Sequence, residues 1–153
     1  MELTTLIPAF DAPATERVWL VAAHGGAGCT TIRHYAPERF ADAGRALPVS
    51  RDPGSPSRVL LCAMGTGRGL ESLRSLLDDQ ARGLFGPTVL LGAAITDPVA
   101  RMPRPLVEGR LRIASVTRVW RLPYIRGLEL EGFPTRWPSA YARLLRDVDG
   151  LPR

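Results

Sequence analysis

Short, nearly continuous apolar runs dominate the pattern of this chain. Three of them, 17–23, 58–64 and 88–95, are each closed by glycines or by an Asp-Pro pair. A run of this length that is apolar on both faces is typical of a strand inside a parallel sheet. We therefore predict three core strands, a fourth strand within 113–122 and a short strand at 46–50.

Helical periodicity fills the stretches between these strands. Leucines and alanines recur every three or four residues between 70 and 84, and charged residues occupy other positions, which predicts an amphipathic helix. Shorter helices are predicted at 30–35, near 106–110 and at 138–148, and a further helical turn at 38–43. Strands that alternate with helices predict an α/β fold, a three-layer sandwich with a mostly parallel sheet.

A single domain is expected from the length and the pattern. The 153 residues are 45% hydrophobic, which is enough for one domain with its own core. Residues 1–16 show no period, so we predict an irregular N-terminal arm followed by one α/β domain at 17–153. No apolar run approaches the roughly 18 residues that a membrane span needs, and no basic-then-apolar leader opens the chain. We expect a cytoplasmic protein without a membrane span.

The positive charge of the chain comes from arginine alone. All 20 basic residues are arginine, and the net charge is +5. Any mechanism that needs an ε-ammonium is therefore excluded, including Schiff-base chemistry and the P-loop lysine. The positive charge keeps a DNA-binding module open as an alternative, although the arginines are scattered and form no basic block.

The segment between the first predicted strand and the first predicted helix is rich in glycine. It consists of His24, Gly25, Gly26, Ala27, Gly28, Cys29, Thr30 and Thr31. Backbone N–H groups at such a turn, together with the dipole of the following helix, favour an anion such as phosphate. The P-loop pattern G-x-x-x-x-G-K-[ST] keeps its last glycine at Gly28 and its hydroxyl at Thr30. Its lysine position is Cys29, and its first glycine is replaced by Ala23.

This loop resembles the deviant Walker motif of ParA- and MinD-like ATPases, K-G-G-x-G-K-[ST]-[ST]. Six of the eight positions are compatible, and the two that differ are both lysines, replaced by His24 and Cys29. Residues 58–77 and 119–124 resemble later elements of those proteins. The chain is also similar to uncharacterised P-loop-like proteins of high-GC actinobacteria that are encoded near mobile elements. Over residues 17 to about 130, the resemblance implies a reduced P-loop NTPase-like fold.

Departures from the motif change the function that the resemblance implies. Residues 61–64 contain no aspartate that could hold Mg²⁺ as in P-loop enzymes. Asp97 either reads a base edge, as late-strand residues do in related NTPases, or begins an ordinary turn before Pro98, which is the interpretation we favour. Without the lysine, a phosphate would depend on backbone amides and on Arg33 or Arg68 for charge. We expect a pseudo-NTPase with a degenerate Walker A loop and no metal site. The loop is either empty or binds ATP or GTP without efficient hydrolysis.

Two further loop residues have a reactive and a structural interpretation. In the reactive interpretation, His24 is a general base or contacts a phosphate; in the structural one, it is an exposed or hydrogen-bonded loop residue. In the reactive interpretation, Cys29, at a helix N-terminus, is a nucleophile or a redox sensor; in the structural one, it is a small capping residue. The second glycine-rich turn, 65–69, departs from the dinucleotide-binding pattern at Leu70 and predicts a plain turn.

Aromatic residues and arginines crowd the last third of the chain and predict a protein-binding surface. Such residues are the usual anchors of interfaces, and we assign the surface to Trp120, Tyr124, Arg126 and Trp137. The leading hypothesis is a non-catalytic P-loop-like scaffold or accessory protein that binds a protein partner, in the conjugative or mobile-element setting that the resemblance implies. The alternatives are a ParA/MinD-type nucleotide switch with weak or no hydrolysis, and an arginine-rich nonspecific DNA-binding module.

Overall fold

The computed structural model of the protein describes residues 6–151. Its strands are β1 (Ala9–Ala12), β2 (Val18–Ala22), β3 (Phe40–Gly44), β4 (Leu47–Ser50), β5 (Arg58–Met64), β6 (Val89–Thr96) and β7 (Val119–Leu122). Its helices are α1 (Cys29–Tyr35), α2 (Gly67–Ala81), α3 (Arg104–Ala114), α4 (Leu128–Glu131) and α5 (Ser139–Asp149). The predicted α/β fold with a mostly parallel sheet is confirmed.

The main sheet has five parallel strands in the order β3-β2-β5-β6-β7. The longest register joins β5 to β6, from Arg58 opposite Val89 to Met64 opposite Thr96. A separate two-stranded parallel sheet joins β1 to β4. The predicted short strand at 46–50 corresponds to β4.

Helices cover both faces of the main sheet because its strands are apolar on both sides. Along β5, Leu60 and Cys62 belong to one buried cluster, whereas Val59, Leu61 and Ala63 belong to the other. The first cluster includes residues of α1 and α5, and the second includes residues of α2, α3 and β4. This arrangement is consistent with the three layers expected from the sequence.

Three local predictions are corrected by the structure, and one element was not predicted. Within the helical turn predicted at 38–43, residues 40–43 belong to the edge strand β3. Residues 113–114 are the end of α3 and do not open the fourth strand, because Ile113 is buried in the cluster that includes α2. The arm predicted to be irregular, 1–16, contains β1, and its residues 1–5 lie outside the described part of the chain. The four-residue α4 was not predicted.

The strand order determines where a ligand can bind. When the five strands are numbered along the chain, their order is 2-1-3-4-5, a common doubly wound order. From β2 the chain passes to β3 on one side and then to β5 on the other. In such sheets the ligand crevice lies beyond the carboxyl ends of the strands at this switch point. The loops that follow β2 and β5 meet there.

Candidate ligand-binding cleft

The glycine-rich loop after β2 has a backbone that only glycine adopts easily. Gly26 has φ of +74° and Gly28 has φ of +94°, in the left-handed region where a side chain is strained. A Cβ on Gly28 would lie 3.2 Å from the hydroxyl oxygen of Thr96. The loop therefore packs tightly against the end of β6 and leads directly into α1.

The N-terminus of α1 is uncapped. Gly28 occupies the cap position, and in the part of the chain that the structure describes no side chain accepts a hydrogen bond there. The N–H groups of the first turn have no acceptor within a helix, so those of Cys29, Thr30 and Thr31 are left for solvent or a ligand.

His24 links the loop after β2 to the end of β5. Its Nε2 accepts a hydrogen bond from the backbone N–H of Met64 at 3.0 Å, so we assign the ring proton to Nδ1. That nitrogen donates to the carbonyl of Gly25 at 2.8 Å. Both ring nitrogens are thus used within the protein. The geometry supports the hydrogen-bonded interpretation of His24 over a role as general base.

A cleft of about 790 Å³ opens over this loop. All eight residues of the predicted phosphate loop, 24–31, line it, together with Asp42 and Gly44 of β3 and Arg45, which follows that strand. The opposite side is formed by residues that follow β6 and β7, including Asp97, Tyr124, Ile125 and Leu128. The cleft therefore has a polar end beside β3, with Asp42 and Arg45, and an end beside β7 where apolar side chains lie together with Glu129.

The polar end is shaped by a turn after Asp42. A carboxylate oxygen of Asp42 accepts a hydrogen bond from the N–H of Gly44 at 2.8 Å, and Gly44 has φ of +62°. This side-chain-to-backbone bond across two residues mimics a backbone turn. It ends β3 and brings Arg45 to the rim of the cleft.

Asp97 is held by two arginines. Its carboxylate is 2% exposed and accepts hydrogen bonds from Arg121 at 2.7 and 2.9 Å and from Arg110 at 3.3 Å. A carboxylate this buried needs such partners. The chain bends after Asp97, and the Asp97 side chain joins α3 to β7. Its negative charge is paired with these two arginines.

Two titratable groups at the cleft are neutral: Tyr141 lines it, and the buried Cys62 lies next to the lining residue Cys29. A hydrogen bond with the Cys29 thiol, followed by burial, holds the pKa of the Cys62 thiol well above its usual range. Burial, with a smaller contribution from Cys62, raises the pKa of Tyr141 to about 12. Both groups are protonated at neutral pH, so Cys62 is not a thiolate nucleophile there.

The arginines predicted to assist the loop lie outside the cleft. Arg33, on α1, and Arg68, on α2, are exposed and line no part of it. Arg45 is the arginine among the lining residues. Arg45 was missed because residues 38–43, just before it, were predicted to be a helical turn and not a strand that ends at the cleft. The signal that could have found it is the Asp-Ala-Gly sequence at 42–44, a turn that ends a strand.

The four residues predicted to bind a protein partner do not form one surface patch. Trp120 is 5% exposed and donates its indole N–H to Asp147 at 3.0 Å, an interaction that lowers the pKa of that carboxyl. Trp137 packs edge-on against Tyr35 and Tyr141. Tyr124 is exposed and lines the cleft, and Arg126 is exposed. The two tryptophans therefore act in packing.

No helix within 6–151 has the length and apolar character that crossing a membrane requires. Over the same described range, no three His, Cys, Asp or Glu side chains are grouped closely enough to hold a metal ion.

Fold and cleft together define an α/β protein with a glycine-lined cleft at the carboxyl edge of a parallel sheet. Residues 16–127 match the profile of a family of unknown function (DUF6668), and the chain belongs to that family. No curated protein matches the chain, and no solved structure matches it. The matched segment contains the five strands of the main sheet and the glycine loop.

Proposed function

We propose that this protein binds a nucleotide or a related phosphorylated ligand in the cleft and does not hydrolyse it. The observation that carries the proposal is the position of the cleft: the glycine loop 24–31 lines it at the switch point of a doubly wound sheet. The ParA/MinD-like resemblance of the same loop points to the same class of ligand. A P-loop-like origin of the fold is part of this proposal.

The chemistry of the lining suits a small molecule with one charged and one apolar part. A volume of about 790 Å³ lies within the usual range of roughly 300 to 1,000 Å³ for small-molecule sites. The uncapped first turn of α1 offers N–H donors for a phosphate. Tyr124, Ile125 and Leu128 line the other end and offer an apolar wall for a ring.

Hydrolysis is not expected because the groups that drive phosphoryl transfer are missing. The chain has no lysine to follow the transferring phosphoryl group. The neighbouring strand β5 ends at Met64, where no carboxylate is available for Mg²⁺. Asp97, the buried acid at the cleft, is already paired with Arg110 and Arg121.

Calorimetric titration of the purified chain with ATP, ADP and GTP, each with and without Mg²⁺, tests binding. Gly25 is the place for a matched pair of variants, because nothing lies within 4 Å of a Cβ there and its φ is not in the left-handed region. We expect Gly25→Asp to abolish binding by placing a negative charge on the loop, while Gly25→Asn binds within a few fold of wild type. Gly67→Asp, also in open space but outside the cleft lining, is the charge control.

Two results contradict the proposal. The first is the absence of binding to every nucleotide of the panel. The second is release of inorganic phosphate from ATP or GTP at an enzymatic rate that Gly25→Asp removes. The first result would favour the scaffold role predicted from the sequence, and the second would make the chain a working NTPase.

A scaffold role is the second candidate, and one observation favours it. Leu130 in α4 is 93% exposed and Tyr124 is 42% exposed, and both line the cleft. Exposed apolar side chains of this kind are suited to a protein contact. Pull-down with wild type and Leu130→Ser tests it: a specific partner lost in the variant supports the role, and equal recovery by both contradicts it.

A further inference from the structure

We infer that Arg45 supplies the positive charge that the phosphate loop lacks, so that the phosphate end of the ligand lies beside β3. The inference rests on the proposed function and names the residue and the orientation that serve it. In effect, a guanidinium just after the neighbouring strand replaces the ammonium that the loop motif of P-loop proteins carries at the position of Cys29.

The register of the sheet brings Arg45 close to the loop. Val21 on β2 is paired with Gly44 on β3, so Arg45 lies near the level of Ala22, two positions before the glycine loop. Neighbouring strands are about 4.8 Å apart, which is less than the length of an arginine side chain. A guanidinium at this position can therefore reach an anion held over the loop.

The positive charge of Arg45 is available to bind an anion. Within residues 6–151, no carboxylate lies within 4 Å of its guanidinium, and the side chain is exposed at the rim of the cleft. Arg110 and Arg121 are committed to Asp97. The planar guanidinium binds phosphate through two parallel hydrogen bonds, which makes it a suitable replacement for a point charge.

Asp42, at the same end of the cleft, can be used to test the orientation of the ligand. Its carboxylate is also exposed in the cleft and repels an anion there, while one of its oxygens holds the turn through the N–H of Gly44. An asparagine keeps an oxygen for that turn and removes the charge. If phosphate lies beside β3, Asp42→Asn strengthens binding. If instead a ribose lies there, with its hydroxyls bound to the carboxylate, the same change weakens binding.

The experiment is calorimetric titration with ADP, pyrophosphate and adenosine as probes, at low and high salt. We expect Arg45→Ala to weaken ADP and pyrophosphate about tenfold or more, as loss of a charge-assisted hydrogen bond predicts. Arg45→Lys should retain part of the affinity. Asp42→Asn should strengthen both phosphate ligands about threefold at low salt, and the gain should shrink at high salt.

Arg33→Ala and Arg68→Ala are matched controls, since both arginines are exposed and lie outside the cleft lining. We expect each to change ADP affinity less than about twofold. Because Arg45, Arg33 and Arg68 are all exposed, the variants are expected to fold, and thermal unfolding of each checks this.

The outcomes separate this inference from the proposed function. If ADP binds but Arg45→Ala behaves like the two controls, or if Asp42→Asn weakens ADP, the inference is wrong and the nucleotide-binding proposal survives. If none of the probes binds wild type, both are wrong.

Discussion

The loop after β2 and the loop after β5 both lead from a buried strand through glycines into a helix, yet only the first opens to the cleft. After β5, the hydroxyl of Thr66 caps α2 by accepting from the N–H of Gly69 at 3.0 Å. After β2, no side chain caps α1 among the described residues. A glycine-rich strand-to-helix turn therefore suggests an anion site only when its backbone donors are left without an acceptor in the protein.

The loop after β5, whose helix is capped, is also the more tightly packed of the two. A Cβ on Gly69 would lie 2.2 Å from the carbonyl oxygen of Met64, whereas one on Gly25 would have no atom within 4 Å. The turn after β5 is closed by contact with its own backbone. The turn after β2 has space above it, where a ligand can lie.

The largest effect that tests this comparison is expected from Gly69→Ala. The new methyl group would overlap the Met64 carbonyl and crowd the His24 ring, so we expect a loss of about 3 kcal/mol in the free energy of unfolding. Chemical denaturation measures it. The control is Gly67→Ala, in the same helix but in open space, which we expect to be neutral or stabilising by up to about 1 kcal/mol. Equal stability of the two variants would contradict the close packing of this loop.

His24→Ala tests the hydrogen bond that joins the two loops. Its removal leaves the N–H of Met64 without the Nε2 acceptor, and we expect a loss of about 1 to 2 kcal/mol in the free energy of unfolding. His24→Gln retains an acceptor and should recover part of the loss. If His24→Ala and wild type unfold at the same denaturant concentration, the two loops are not linked by this ring.

Thr66→Ala should be milder, because it removes only a helix cap. We expect a loss of about 1 kcal/mol, and Thr66→Ser should restore stability because the serine hydroxyl caps in the same way. Thr30→Ala in the first turn of α1 is the matched comparison, since no side chain caps that helix. A similar loss in Thr30→Ala would show that α1 does have a side-chain cap and would remove the contrast between the loops.

Gly25→Ala is expected to have the smallest effect. With open space around the Cβ position, the change in unfolding free energy should stay within about 0.5 kcal/mol. A loss greater than about 1 kcal/mol, measured as for the other variants, would mean that the loop closes on itself in solution as the loop after β5 does.

The elements that the sequence predicts well are those whose own residues determine them. Residues 58–64 are apolar on both faces, and the predicted strand has the bounds of β5. The leucine period marks α2 because one face of that helix is buried on the sheet. In both cases the local pattern and the tertiary environment favour the same structure.

The missed elements depend on neighbours that the sequence does not reveal. The β3 sequence Phe-Ala-Asp-Ala-Gly has weak strand propensity, and its pairing with β2 at the edge of the sheet makes it a strand. Likewise β1 exists through its pairing with β4. Because β3 was missed, so were Asp42 and Arg45, although the glycine loop beside them was found. The candidate site was thus predicted on one strand and missed on the adjacent one.

The strand directions have a consequence for how the chain folds. Every pairing among the described strands is parallel, so no β-hairpin is available as an early, local nucleus. Two strands can meet only after the segment between them has closed a long loop, an entropic cost that slows folding relative to a helical bundle of equal length. The β5-α2-β6 unit, with the longest register and the longest of the described helices, is where we expect native structure to be most developed in the folding transition state.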